Sequence, residues 1–142
     1  GHSITLRWPE DYTVIKGLCE SPCAKVGQNF LFDRYWLRPP RAYAPLARKH
    51  WLMESLPDIH IEGHIYDLLA MHHALDSTLS HGLADMASVD TRQPYWKKSW
   101  KDQSSDSVDK TAYEKLCTYN GIDCNVTREL FDIYYTRLKG AL

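Results

Sequence analysis

Thr118–Leu138, reading TYNGIDCNVTRELFDIYYTRL, is the stretch whose interpretation decides the fold. Val126, Leu130, Ile133, Tyr134 and Leu138 recur at spacings of three and four, which predicts a helix with one buried stripe. Tyr119 and Asp123 precede that stripe and stand four residues apart. A helix through both puts a phenol and a carboxylate on one face, with Cβ atoms about 5–6 Å apart. Such a pair can hold a metal ion and orient a water. A surface aspartate beside a core tyrosine has the same spelling, so the pair needs support from elsewhere in the chain.

Support comes from an acidic motif far upstream. Cys23 to Gly27 has strand character and runs into Gln28-Asn29-Phe30-Leu31-Phe32-Asp33. A strand ending near Gly27 and a helix starting near Phe30 make Asn29 an N-cap at the junction and set Asp33 one turn in. That is the carboxyl edge of a strand, where open α/β sheets place ligands. Phe30, Leu31, Trp36 and Leu37 are expected to anchor this helix to the sheet. A solvated aspartate beside a capping asparagine is the plainer alternative.

Between the two motifs the pattern is mostly helical. Ser3–Leu6 is expected to end a strand, and Pro9-Glu10-Asp11 to open a helix that uses Val14, Ile15 and Leu18 and stops at Ser21-Pro22. Pro39, Pro40 and Pro45 indicate loop, with a helix over 46–56, and Ile59–Ile61 is expected to be a short strand. Asp67 opens a helix through Leu75, Asp76–Ser80 is a turn, and Leu83, Met86 and Ala87 mark a further short helix. The region from Asp90 to Asp109 is the longest loop candidate. Its start, PYWKKSWK, could stack bases and touch phosphate through Tyr95, Trp96 and Lys97, or pack on the domain.

Taken together and in order, these parts resemble the 3′→5′ exonuclease domain of family-A DNA polymerases, among the DnaQ-like, ribonuclease H-like exonucleases whose third motif carries Tyr. The matching segments are VGQNFLFD at 26–33, HIYDLLAMHHALDSTLSHGLADMAS at 64–88, PYWKK at 94–98 and YNGIDCNVTREL at 119–130. They cover the chain from about Ala24 onward, and PYWKK after HGLADMAS is most similar to phage-type members. The resemblance implies an α/β fold of ribonuclease H-like type, a mixed sheet flanked by helices, forming a single domain over 1–142. It also implies hydrolysis of phosphodiesters at a DNA 3′ end with two divalent ions, Mg2+ or Mn2+. Asp33 and Asp123 would be metal ligands, Tyr119 would orient the attacking water, and Asn29 would shape the second motif beside the substrate. Asp67 matches a position assigned to helix capping rather than to metal.

One part of the family pattern is missing. Its first motif is an Asp-x-Glu on the first strand, and no Asp-x-Glu precedes Asn29 here. The expectation is therefore a domain lacking its N-terminal strands, with little or no activity as given and with a polymerase domain as a candidate neighbour in the same polypeptide. A catalytically inactive module that binds nucleic acid or protein is the alternative. An uncovered sheet edge would favour self-association.

Composition is compatible with these readings. The chain has 142 residues, 44% apolar and 25% charged, which is ordinary for a globular domain. A formal net charge of −1 provides no overall basic field for nucleic acid. No run approaches the length of a membrane span and no signal peptide is evident, so a cytoplasmic protein is expected. Cys19, Cys23, Cys117 and Cys124 have spacings that do not suit a zinc ribbon or finger, and reduced thiols are expected. The histidines at 60, 64, 72, 73 and 81 match no metalloprotease spacing, and structural or surface roles are expected for them.

Overall fold

The buried stripe expected near the C-terminus is present on the longest element of the computed structural model, which describes residues 2–7, 10–37, 59–96 and 110–141. In chain order the elements are α1 (Tyr12–Cys19), β1 (Lys25–Gly27), α2 (Phe30–Leu37), β2 (Ile65–Asp67), α3 (Leu68–Leu75), α4 (Leu83–Asp90) and α5 (Lys110–Gly140). They group into two compact units, one of Leu6–Tyr66 and one of Gly1–Thr5 with Asp67–Leu142. Among the described residues the outcome is a helix-dominated α/β arrangement with a small parallel sheet of two strands, β1 and β2.

In the unit that ends the chain, α3 and α4 both pack on α5. The core is the set that helical periodicity selects: Val126, Leu130 and Tyr134 from α5, Leu68 and Met71 from α3, and Leu83, Ala84, Met86 and Ala87 from α4, all buried. Ile133 and Leu138 flank the stripe and are half-buried. Asp67 starts α3 as its N-cap, its carboxylate accepting the Leu69 N–H at 3.0 Å, so one of the first-turn donors is satisfied. The capping role expected for Asp67 is thus observed directly. The turn after α3 is closed by Asp76, which accepts from the Thr78 N–H at 2.9 Å and the Thr78 hydroxyl at 2.6 Å.

A polar clamp ties α4 to α5. Asp90, the last residue of α4, accepts the Tyr134 hydroxyl at 2.8 Å on one oxygen and the Arg137 guanidinium at 2.6 Å on the other. Burial, and then this hydrogen bond, push the Tyr134 phenol well above its ordinary range. Gly121 serves close approach on the same helix. It is buried, and a Cβ there would lie 2.8 Å from the Ser3 hydroxyl, so a side chain at this position would require Ser3 to turn aside.

In the other unit, α1 spans the residues expected of it, but its apolar face stays largely open, with Val14 and Leu18 both exposed. Asp11 heads α1 without capping it: its carboxylate accepts the Arg7 N–H at 2.7 Å, outside the helix. The end of α1 is held by the Lys16–Glu20 ion pair, and Glu20 also accepts the His60 N–H at 3.2 Å. Pairing of the strands is continued by the Lys25 N–H donating to the His64 carbonyl at 2.8 Å. Gly63 turns the chain into β2 at φ 79°, where a Cβ would run into the Pro22 and Cys23 carbonyls.

Several expectations change. Ser3–Leu6 forms no strand; Ile4 is 85% exposed and has no apolar face to bury. Ile59–Ile61 is likewise not a strand, although Ile59 is buried. The sheet is parallel rather than mixed, as follows when the chain between its strands includes a helix and is long enough for a crossover. Leu31 does not anchor α2, being 73% exposed, while Phe30 and Leu37 are half-buried. The helix expected over 46–56 lies outside the described residues.

Two measurements check this packing. Leu130→Ala should cost about 2–5 kcal/mol in urea unfolding, whereas Leu31→Ala should stay within about 0.5 kcal/mol. Because the folded Tyr134 phenol holds its proton above the unfolded value of about 10, its contribution is present below that pH and is lost as pH rises beyond it. Tyr134→Phe should therefore flatten the alkaline arm of the stability profile.

Candidate functional site

The two acidic motifs lie on helices of different units, Asp33 on α2 and Asp123 on α5. Each is described in its own surroundings.

On α5, Tyr119 and Asp123 sit one turn apart in an uninterrupted helix, both half-buried. The helix supplies the geometry that their spacing predicts, and Gly121 between them is the buried position against Ser3. Asp123 is further fixed from outside the helix. The Trp96 indole Nε1–H donates to its Oδ1 at 2.9 Å across 27 residues of sequence. Trp96 is only 9% exposed, so its ring packs into the unit while its N–H finds a charged acceptor. One carboxylate oxygen is thus committed to the indole and the rotamer of Asp123 is set.

The neighbouring Cys124 thiol is raised above its ordinary range, first by burial and then by the negative charge of Asp123. A thiol shifted in that direction stays protonated at neutral pH and makes a poor nucleophile. All four cysteines are unpaired thiols, in line with the sequence reading.

The second motif has a different character. Asp33 lies in the first turn of α2 and is exposed. Asn29 occupies the strand-to-helix junction as expected, but with φ 58°, the left-handed conformation that asparagine tolerates better than most residues. An N-cap residue has extended backbone angles, so Asn29 turns the chain by its backbone, and its carbonyl accepts the Phe32 N–H at 2.9 Å. This places the asparagine at the corner four residues before Asp33.

Of the aromatic and basic segment, Trp96 is the buried partner of Asp123, Tyr95 beside it is exposed, and Lys97 lies outside the described residues. The structure therefore brings Trp96, Tyr119 and Asp123 together. The contact between Trp96 and Asp123 has no helical or strand periodicity behind it and could not be read from spacing. The same is true of the Asp90 clamp, for which the only hint is that Tyr134 and Arg137 are three apart on one helix.

Among the described residues there is no group of three or more His, Cys, Asp or Glu side chains placed to hold a metal ion. Mg2+ takes about six oxygen ligands in near-octahedral geometry, and the described side chains around Asp123 do not make up such a set. Among the described residues, no helix is long and apolar enough to cross a membrane.

No protein-family model, curated protein or solved structure matches this chain.

The indole contact can be measured. Trp96→Phe keeps an aromatic ring and removes the N–H, and should cost about 1.5–3 kcal/mol in urea unfolding, the usual value of a hydrogen bond to a charged group. Asp123→Asn retains an acceptor for the indole and should cost less than Trp96→Phe.

Proposed function

We propose that this chain carries the second- and third-motif portion of a 3′→5′ exonuclease-type site, of ribonuclease H-like kind, that acts on the 3′ end of single-stranded DNA. The observation that supports it best is the third motif. Tyr119 and Asp123 lie one turn apart on a single helix, and the carboxylate is oriented by a buried indole. In this reading Asp123 and Asp33 are ligands for Mg2+ or Mn2+, which would supply the activated water and stabilise the leaving oxygen. Tyr119 would position that water through its hydroxyl. Asn29 and the exposed Tyr95 are offered to the nucleotide, while the buried Trp96 serves by orienting Asp123. The proofreading domain of a DNA polymerase is the setting that the motifs suggest.

The sequence lacks the Asp-x-Glu pair of the first motif, so two of the carboxylates that such a site uses must come from elsewhere. A pair of carboxylates holds divalent ions loosely, and the chain by itself is expected to degrade DNA slowly or not at all.

The test combines ion binding with turnover. Mn2+ titration followed by electron paramagnetic resonance should show weak binding that Asp123→Asn and Asp33→Asn each reduce. A 5′-labelled single strand should lose few nucleotides under the same conditions. Mn2+ binding unchanged in both variants would remove the nuclease reading. Robust Mn2+-dependent degradation lost in Asp123→Ala would keep that reading and overturn the expected incompleteness.

A further inference from the structure

We infer that His72, His73 and His81 form a protonation-sensitive latch, a relay of three imidazoles that fastens the turn before α4 onto α3 and opens when it takes up a second extra proton. All three lie within the segment 64–88, but none is among the side chains assigned to the candidate site above. His72 and His73 are neighbours on α3, and His81 comes from the turn that leads into α4. His72 Nδ1 lies 2.7 Å from His81 Nδ1, and His73 Nδ1 lies 3.0 Å from His81 Nε2. Both nitrogens of the central ring are therefore engaged, each by a different partner. The rings meet edge to face, with centroids 4.9 and 5.0 Å apart.

Proton count gives the latch its behaviour. Each N···N junction needs one hydrogen, on one side only. Three neutral rings carry three ring protons and satisfy both junctions, with His81 donating to one neighbour and accepting from the other. A fourth proton is accommodated when His81 is an imidazolium that donates both ways and the outer rings carry their hydrogens on Nε2. A fifth proton cannot be placed without setting N–H against N–H at one junction. The closed relay thus holds at most one proton beyond neutrality, whereas three solvated histidines take up three.

The surroundings oppose even that first proton more than they help it. His72 is 3% exposed, and its ring lies against Tyr134 of α5 with centroids 5.3 Å apart. The Tyr134 hydroxyl is bound to Asp90 of α4, whose other oxygen holds Arg137. Desolvation, and then the charges of His72 and His73, lower His81, while Asp76 in the same turn raises it less. The Asp76 carboxylate is already occupied by Thr78, and Asp85 of α4 accepts the Ser80 hydroxyl at 2.6 Å. A histidine lowered in the folded state contributes stability that is present above the unfolded value of about 6.5 and is lost as pH falls below it. Acidification should therefore release the His81 end of the turn first.

The experiment uses the whole chain labelled with 15N-histidine. At about pH 7.5, N–N couplings across hydrogen bonds should link His81 to both neighbours, and at about pH 5 one of them should vanish as the rings take up their later protons. Unfolding should draw in up to about two protons more than in His81→Gln near pH 5.5, so the wild-type unfolding constant should rise up to about a hundredfold more per pH unit than that of the variant. Three rings titrating independently near 6.5, with no coupling between them at pH 7.5, would overturn the latch. That measurement needs only the native protein and stands whether or not the variant folds.

Discussion

The burial of one stripe of α5 is the constraint on which the Asp67–Leu142 unit depends. Val126, Leu130 and Tyr134 are removed from water completely, and two short helices supply the cover. Neither α3 nor α4 is long enough to be stable alone, since isolated helices below about 12–15 residues are marginal in water. Their stability is borrowed from the apolar surface that they and α5 hide together. Fully burying a side chain of Val, Leu or Phe size is worth about 1.5–3 kcal/mol, so a handful of such residues outweighs any single hydrogen bond here.

The stripe also fixes the site. Once Val126 and Leu130 face the core, helical geometry determines where Asp123 and Tyr119 lie, about one and two turns before Val126. No flexible loop intervenes between the packing residues and the chemical ones. What the helix cannot determine is the rotamer of the carboxylate, and a residue from outside does that. Trp96 gains burial for its ring and a charged acceptor for its N–H, and Asp123 gains a fixed orientation.

Much of the Asp67–Leu142 unit was legible in the sequence because its elements are local. Period and cap are enough for α3, α4 and α5, and Asp67 stands before the α3 pattern where an N-cap belongs. The β1-to-α2 junction was also legible in outline, with Asn29 at the corner, although its backbone takes the left-handed conformation instead of the extended one of an N-cap. The strand readings fared worse. Ser3–Leu6 and Ile59–Ile61 are short β-branched runs, and such runs become strands only when a partner offers hydrogen bonds. Long-range polar contacts were not legible at all: Trp96 to Asp123, Asp90 to Tyr134 and Arg137, and His81 to His72 join residues that no period connects. The histidines are expected in structural or surface roles from their spacing, which carries no sign of the arrangement of His72, His73 and His81.

Those long-range contacts are not independent of one another. The Tyr134 phenol is buried between two polar systems: its ring lies against His72 and its hydroxyl binds Asp90. Any movement of His72 alters the packing of a ring whose hydroxyl holds the end of α4, and any loss of Asp90 alters the wall against which His72 rests. Groups that share a partner in this way are coupled, with interaction energies of about 0.5–3 kcal/mol. The imidazole relay and the carboxylate clamp lie at opposite ends of α4, one at the turn before it and one at its last residue. Because His72 of the relay rests on the Tyr134 ring and the Tyr134 hydroxyl binds Asp90, one aromatic residue of α5 touches both polar systems.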